Sequence, residues 1–233
     1  KELAQRFGQP QALAPLDEAR ARSMLARCLR RPEAELEADA DFCELLRRSC
    51  GLPIMLESLA SMCRGDQTPG DVLRELEAAR AEMEKLEVPG GGDYEHDDFF
   101  GGLEVQLRRL EEKEPELARR YAMLAVLPED VQMPLVVVQT LWGASEAQTR
   151  PSARKLAEQH LLKLESGRWD CRGRWQPAEG GKQPLSLLDL HLQYLRHRGR
   201  NSLRAWHAGL LQRCGRRPLG KSEEREADCY WGR

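Results

Sequence analysis

Apolar side chains recur at every third or fourth position along most of the chain, which is the spacing of one face of an α-helix. The first such run follows Asp17, whose carboxylate is suited to cap a helix, and Pro32 is expected to end that helix. Three more helical runs follow before residue 88. The apolar positions of these four helices are Ala21, Leu25, Cys28, Leu29, Phe42, Leu45, Leu46, Cys50, Ile54, Leu56, Leu59, Ala60, Cys63, Val72, Leu76, Met83 and Leu86.

The second and third of these helices meet at Gly51-Leu52-Pro53. Gly51 is expected to adopt the left-handed conformation that ends a helix, because a glycine has no Cβ to clash there. Pro53 is expected to occupy the first position of the next helix, since the first turn makes no use of the N–H that proline lacks. The sequence therefore predicts a sharp turn that is stiff on both sides.

The fourth helix is predicted to begin at Pro69, with Thr68 and Asp71 forming a capping box around its first turn. Residues 1–88 are interpreted as a small helical domain. Residues 89–100 are rich in glycine and acidic side chains, which predicts a flexible, solvated linker. This stretch lacks the Gly-Lys-Ser/Thr ending of a phosphate-binding loop, and its acids would repel phosphate.

The second half is predicted to combine helices with one β-hairpin. Helices are expected around Leu103, Leu107 and Leu110, from Pro115 (with Leu117, Tyr121, Leu124 and Ala125), from Pro134 to Trp142, and over Ser152–His160. The stretches Leu161–Glu165 and Leu185–Leu188 are strand-like, and Asp189 is expected to cap a helix that ends at Arg198. This order predicts a winged helix-turn-helix over residues 101–200. The fold class is therefore mainly α: a helical domain followed by a winged helix-turn-helix domain with a small β-hairpin wing.

A further helical domain is expected to start within residues 201–233. Asn201 is predicted to cap its first helix, with Gly215 just past the end. The residues predicted to face inward are Leu203, Trp206, Leu210, Leu211 and Cys214. Cys214 lies beside Arg213 and Arg216, which is the setting of a reactive thiol, but its place on the apolar face favours burial.

Composition restricts the cellular setting more than the type of partner. The chain has 233 residues, seven cysteines and a formal net charge of −2. The cysteines are odd in number and never form Cys-x-x-Cys, which is typical of reduced, buried thiols, so we expect a cytoplasmic protein. No apolar run approaches the roughly 20 residues of a membrane span. Because the chain begins at Lys1 without an initiator Met, we interpret it as part of a longer protein.

Charge distribution raises nucleic-acid binding as an alternative. Residues Leu190–Ser222 contain eight arginines and lysines and no acid, and a winged helix can place a helix in the major groove of DNA. The helix that would enter the groove, Ser152–His160, offers Arg154 and Lys155 but also Glu158. Few base-reading donors are available there. Nucleic acid is therefore the less favoured partner.

No set of side chains has the spacing of a catalytic or metal site. His160, His197 and His207 have no cysteine or carboxylate partners at ligand spacing. Glu129 and Asp130 are adjacent in a proline-bounded loop, which suits capping and solvation better than acid–base catalysis. We expect no catalytic residue and no metal ligand in these 233 residues.

Three motifs resemble a known family in their order and rough spacing. Gly51-Leu52-Pro53, Leu127-Pro128-Glu129-Asp130 and Leu187-Leu188-Asp189-Leu190 are similar to motifs of the NB-ARC module of STAND-type signalling ATPases, as in the apoptotic protease-activating factor and plant disease-resistance proteins. The resemblance covers nearly the whole chain. It implies the regulatory C-terminal half of an ADP/ATP-dependent switch that controls self-assembly in apoptosis-like or defence-like signal transduction.

The resemblance also implies which residues face the nucleotide. Gly51 and Pro53 would lie on the adenine side. Asp189 stands where the family has the aspartate of a Met-His-Asp or Leu-His-Asp motif, whose histidine contacts the ADP phosphates. Leu188 replaces that histidine and cannot donate a hydrogen bond, so ADP is implied to be held less tightly.

The resemblance also implies two partners, an upstream domain of the same protein and further copies of the chain. The chain contains no Walker sequence, so the phosphate cradle, the Mg²⁺ ligand and any ATP hydrolysis would belong to an upstream P-loop domain of the same protein. A homo-oligomer is expected on activation. The loss of the histidine leaves another alternative, an interaction scaffold that no longer binds nucleotide.

Overall fold

The computed structural model describes residues 14–63, 67–83, 97–165, 167–169, 175–177 and 183–216, and the structural findings below concern these residues. Most of them are helical, as the apolar spacing predicts. The first part contains α1 (Glu18–Leu29), α2 (Glu33–Glu37), α3 (Ala40–Arg48), α4 (Pro53–Met62) and α5 (Pro69–Met83). The second part contains α6 (Asp97–Lys113), α7 (Pro115–Met123), a 3-10 turn (Leu124–Val126), α8 (Leu135–Trp142), α9 (Glu146–Glu158), β1 (Lys163–Leu164), β2 (Gly167–Trp169), β3 (Trp175–Pro177), β4 (Leu185–Ser186), α10 (Asp189–Arg198) and α11 (Leu203–Arg216).

Spatial contacts divide the chain into two units. Unit 1 comprises the described residues up to 82 together with 97–102, and unit 2 comprises residue 83 and the described residues from 103 onward. The division falls inside α6. Residues 97–100, which close the predicted linker, are helical, whereas positions 84–96 lie outside the described residues.

The core of unit 1 forms mainly where α1 packs against α4. The predicted apolar stripe supplies most of it, and α2, which was not predicted, adds Leu36 with no exposed surface. Burying each large apolar side chain stabilises the fold by about 1.5–3 kcal/mol. The buried residues of this cluster are Ala21, Leu25, Ala26, Leu36, Phe42, Leu46, Leu56 and Ala60.

The predicted helix starts of unit 1 are confirmed. The carboxylate of Asp17 accepts a hydrogen bond from the backbone N–H of Arg20 at 2.8 Å and caps α1. At α5, the N–H of Thr68 donates to the Asp71 carboxylate at 2.9 Å, and the N–H of Asp71 donates to the Thr68 hydroxyl at 3.2 Å. These reciprocal bonds satisfy N–H groups that lack partners within the first turn of a helix.

Unit 2 contains the strands. β1 pairs antiparallel with β4, so Leu164 lies opposite Leu185, and this confirms a hairpin between the two predicted strand-like stretches. Met133, which precedes α8, forms an isolated antiparallel bridge with Leu185. A second antiparallel pair, β2 with β3, lies between β1 and β4 along the chain.

The start of α9 differs from the prediction. The helix begins at Glu146 instead of Ser152, and Pro151 lies inside it. The side chain of Gln148 accepts from the N–H of Ser145 at 3.1 Å, so the helix has a capping residue before the proline. Pro151 is the sixth residue of this helix, where a proline removes the hydrogen bond to the carbonyl four residues earlier and its ring crowds that carbonyl. The helix nevertheless continues on both sides of it.

The predictions for α11 and for the thiols are partly wrong. The helix begins at Leu203, and Gly215 lies within it. Leu210 is buried as predicted, but Leu211 is 71% exposed and Cys214 is exposed. Cys43 and Cys50 are also exposed, so the expectation of buried thiols fails for these three cysteines. Helical spacing marks a stripe of the helix, but the width of the neighbouring surface decides how much of that stripe is covered.

Among the described residues, none of the helices has both the length and the apolar character needed to cross a membrane.

Replacing the α1 cap should destabilise the protein. We expect Asp17→Ala to lower the free energy of unfolding by about 1 kcal/mol, because the first turn loses its acceptor. Urea unfolding followed by circular dichroism measures the change. Ser23→Ala, at an exposed position of the same helix, should change stability by less than about 0.5 kcal/mol. Equal losses in the two variants would contradict the capping role.

Candidate functional site

The Gly51-Leu52-Pro53 turn of unit 1 is built around a buried hydroxyl. Ser49 follows the last residue of α3 and has no exposed surface. Its hydroxyl donates to the carbonyl of Leu46 at 2.7 Å and accepts from the N–H of Gly51 at 3.3 Å. The N–H of Leu52 then donates to the carbonyl of Ser49 at 2.9 Å. The turn therefore has internal partners for its polar groups.

Gly51 adopts the predicted left-handed conformation, with φ of 68°. Cys50 precedes it in a similar conformation, with φ of 49°. Pro53 takes the first position of α4 behind Leu52, and its ring is exposed. Because both its φ and the preceding turn are fixed, the ring is a rigid apolar surface suited to lie flat against a planar group.

The second pair of predicted site residues lies in unit 2, at the start of α10. Leu188 occupies the position before the helix and is 50% exposed. Asp189 is the first helical residue rather than the cap, so that prediction is wrong. Its carboxylate still lies in the first turn, where a negative charge interacts favourably with the helix dipole.

His191, three residues beyond Leu188, points into the interior of unit 2. It is 2% exposed, and its Nδ1 lies 2.8 Å from the hydroxyl of Tyr121. Burial lowers the pKa of His191 to about 4, against the smaller opposing effect of a backbone hydrogen bond with Leu161. Burial also raises the pKa of Tyr121 above its ordinary value, so the phenol keeps its proton and can donate it to a neutral imidazole.

A buried carboxylate anchors the other end of α10. Glu104 accepts hydrogen bonds from the Tyr194 hydroxyl, from Nε of Arg198 at 3.1 Å and from Nε of Arg108 at 2.8 Å. Burial disfavours its charged form, but the hydrogen bonds of Tyr194 and Arg108 and the charge of Arg198 outweigh that effect and lower its pKa. Arg198 also forms a bidentate pair with Glu111, at 2.9 and 3.0 Å.

The Leu127-Pro128-Glu129-Asp130 loop is bound by α10. Arg196 donates to the backbone carbonyls of Ala125 at 3.2 Å and Leu127 at 2.8 Å, and it pairs with the carboxylate of Glu129. One guanidinium thus fixes the 3-10 turn and the following loop against the helix that carries Leu188. Glu129 therefore helps to hold the loop against α10.

The motif residues offer an exposed proline ring, a half-exposed leucine side chain and a carboxylate at a helix start. The described residues contain no group of three or more histidine, cysteine, aspartate or glutamate side chains that could hold a metal ion. Gly51 and Pro53 lie together in unit 1, and Leu188 and Asp189 lie together in unit 2. A scan against protein-family models and a search of curated proteins both find no match.

The sequence did not predict the two buried polar contacts that hold α10 in unit 2. The Tyr121–His191 pair and the Glu104 cluster join residues 70 to 94 positions apart, so no local motif announces them. One signal was available: Glu104 and Arg108 are four residues apart on one helix, the spacing of an ion pair on a shared face.

Acidification should destabilise the fold through His191. Below pH 6.5 the unfolded chain binds a proton that the folded chain takes up only near pH 4, so stability falls as the pH is lowered through this window. We expect this residue to contribute a loss of about 2 kcal/mol between pH 7.5 and 5. Urea unfolding at several pH values measures the slope. His191→Gln should flatten it, whereas His207→Gln, at an exposed site, should not. An unchanged slope in His191→Gln would disprove the assignment.

Proposed function

We propose that the chain is the regulatory half of an NB-ARC-type switch, in which bound ADP holds a closed state and exchange for ATP permits opening and self-assembly. Unit 2 would act as a winged helix within this switch. Pro53 would contact the adenine, and the start of α10 would face the phosphates. The phosphate cradle and Mg²⁺ ligands would belong to a preceding P-loop domain, as the absence of a Walker sequence in these residues requires.

The observation that carries the proposal is the strand order of unit 2. Leu185 exchanges hydrogen bonds with Met133 on one side, at 2.6 and 2.8 Å, and β4 pairs with β1 on the other. Along the chain, a helix is followed by the bridge residue Met133, by α8 and α9, and then by the strands β1 and β4. In the sheet, β4 lies between Met133 and β1. Helices followed by a hairpin are the order that the sequence predicted for a winged helix, and the pairing of β4 with β1 and with Met133 supports that interpretation.

The exposed surfaces at the motif residues give independent support. Pro53 begins a helix with its ring exposed, and Leu188 leaves half of its side chain uncovered at the start of another helix. Two motif residues that are both accessible are therefore consistent with a ligand or a neighbouring domain that contacts them.

Nucleic-acid binding is less well supported by the geometry. Arg196 and Arg198, which belong to the basic stretch after residue 190, are engaged with carboxylates and carbonyls of their own unit. On α9, Lys155 pairs with Glu114 at 2.6 Å. These cations are partly neutralised, so fewer positive charges remain to contact phosphates than the sequence suggests.

Nucleotide binding by the intact natural polypeptide tests the proposal. Titration of a fluorescent ADP analogue, followed by anisotropy with Mg²⁺ present, should show saturable binding that unlabelled ADP displaces. Pro53→Ala should weaken this binding several-fold, because the adenine loses a rigid apolar contact. No displaceable binding at millimolar ADP would refute the switch and leave the interaction scaffold as the surviving alternative.

Restoring the motif histidine should tighten ADP binding. We expect Leu188→His in the intact polypeptide to lower the dissociation constant for ADP about tenfold, because an imidazole at this exposed position can donate a hydrogen bond to a charged phosphate. Leu211→His, at another exposed leucine of unit 2, is the matched control and should have no effect. An equal affinity of Leu188→His and the unmodified protein would remove Leu188 from the phosphate side.

A further inference from the structure

The turn that presents Pro53 also holds the segment that leads into unit 1. The backbone N–H of Leu16 donates to the carbonyl of Gly51 at 2.9 Å, and the Leu16 side chain packs against the core of α1 and its neighbours. Leu16 precedes α1, whereas Gly51 lies beyond α3. This hydrogen bond therefore joins two positions that are distant in sequence and fixes the leading segment directly to the turn.

The close approach of the two backbones requires a glycine. A Cβ built on Gly51 would lie far inside the van der Waals distance of the Leu16 carbonyl oxygen, and 3.1 and 3.2 Å from its nitrogen and carbonyl carbon. These are backbone atoms, so they cannot rotate away as a side chain could. Any residue other than glycine must push Leu16 off the turn.

The backbone conformation alone does not explain the glycine. Cys50, the residue before it, adopts φ of 49° with a side chain present. The left-handed conformation is therefore tolerated at this turn by a residue other than glycine, at a modest cost. What distinguishes position 51 from position 50 is the peptide of Leu16 packed against it.

We propose that Gly51 is a positioning residue that fastens the segment entering unit 1 to the turn carrying Pro53. This inference rests on the proposed function. In the switch, the nucleotide-binding domain would precede residue 1, so any displacement of that domain reaches unit 1 through the leading segment. The Leu16–Gly51 contact passes the displacement straight to Pro53, without the intervening helices α1 to α3. Gly51 thus acts on the nucleotide through the placement of its neighbour and does not itself contact the adenine.

Hydrogen exchange in the 233-residue chain tests the contact without any nucleotide. In Gly51→Ala, measured by NMR, the Leu16 amide should exchange at least tenfold faster relative to the amides inside α4 than it does in the unmodified chain. Gly51→Asn serves as the second variant, because asparagine tolerates the left-handed conformation but still carries a Cβ. It should release Leu16 to the same extent.

Control substitutions at two other glycines separate the steric effect on Leu16 from backbone strain and from side-chain crowding. Gly143 has φ of 63°, but the nearest atom to its added Cβ, at 3.6 Å, belongs to the Arg213 side chain, so Gly143→Ala tests the conformation alone. Gly70 has an ordinary conformation, and its added Cβ would meet only side-chain ends among its three nearest atoms: the exposed carboxylate of Asp41 and, at 3.8 Å, the Arg74 guanidinium, so Gly70→Ala tests side-chain crowding. Neither should change the relative exchange of Leu16. Uniformly faster exchange throughout unit 1 in the Gly51 variants, or their failure to fold, would overturn a local positioning role.

ADP affinity of the intact polypeptide provides the second measurement. Gly51→Ala should weaken ADP binding at least tenfold, whereas Gly143→Ala should change it less than twofold. If Leu16 is released and affinity is unchanged, the contact exists but does not position the site, and the inference is wrong. If the unmodified polypeptide binds no ADP, the proposed function fails, and the exchange experiment alone then decides whether the contact is local.

Discussion

The fold of unit 1 depends on a close approach between two backbones, at Leu16 and Gly51. The turn between α3 and α4 contains a left-handed pair, Cys50 and Gly51, and the backbone of Gly51 lies directly against the peptide of Leu16. The buried hydroxyl of Ser49 satisfies polar groups that such a turn would otherwise leave without partners. Steric space at one position thus decides both where α4 begins and where the chain enters the unit.

In unit 2 the corresponding constraint is the pairing of buried polar groups. Helix α10 is held at its first turns by the Tyr121–His191 contact and at its last turns by Glu104 and Arg198. Removing one partner of a buried ion pair costs about 3–5 kcal/mol, because the remaining charge has lost its water. A helix tied at both ends in this way cannot rotate about its axis independently of its unit, so the exposed position of Leu188 is set by contacts deep inside.

The sequence was informative where the physics is local and misleading where it is not. Caps such as Asp17 and the Thr68–Asp71 box depend on residues within four positions, and they were predicted correctly. The hairpin strands followed from their composition. The start of α9 was misplaced because Pro151 was given more weight than the Ser145–Gln148 box, whereas the capped helix continues through the proline. The exposure of Leu211 and the burial of Glu104 depend on distant parts of the chain, which no local pattern encodes.

In the proposed two-state switch, Leu188 in place of a phosphate-contacting histidine would have a definite consequence. A ligand shifts an equilibrium only by the difference between its affinities for the two states, so a contact made in the closed state alone counts in full. Losing a hydrogen bond to a charged group, worth about 1.5–3 kcal/mol, would raise the open fraction by roughly one to two orders of magnitude. The closed state would then depend more on adenine contacts at Pro53. The rigidity of the turn that carries Pro53 therefore matters more in this chain than in one that retains the histidine.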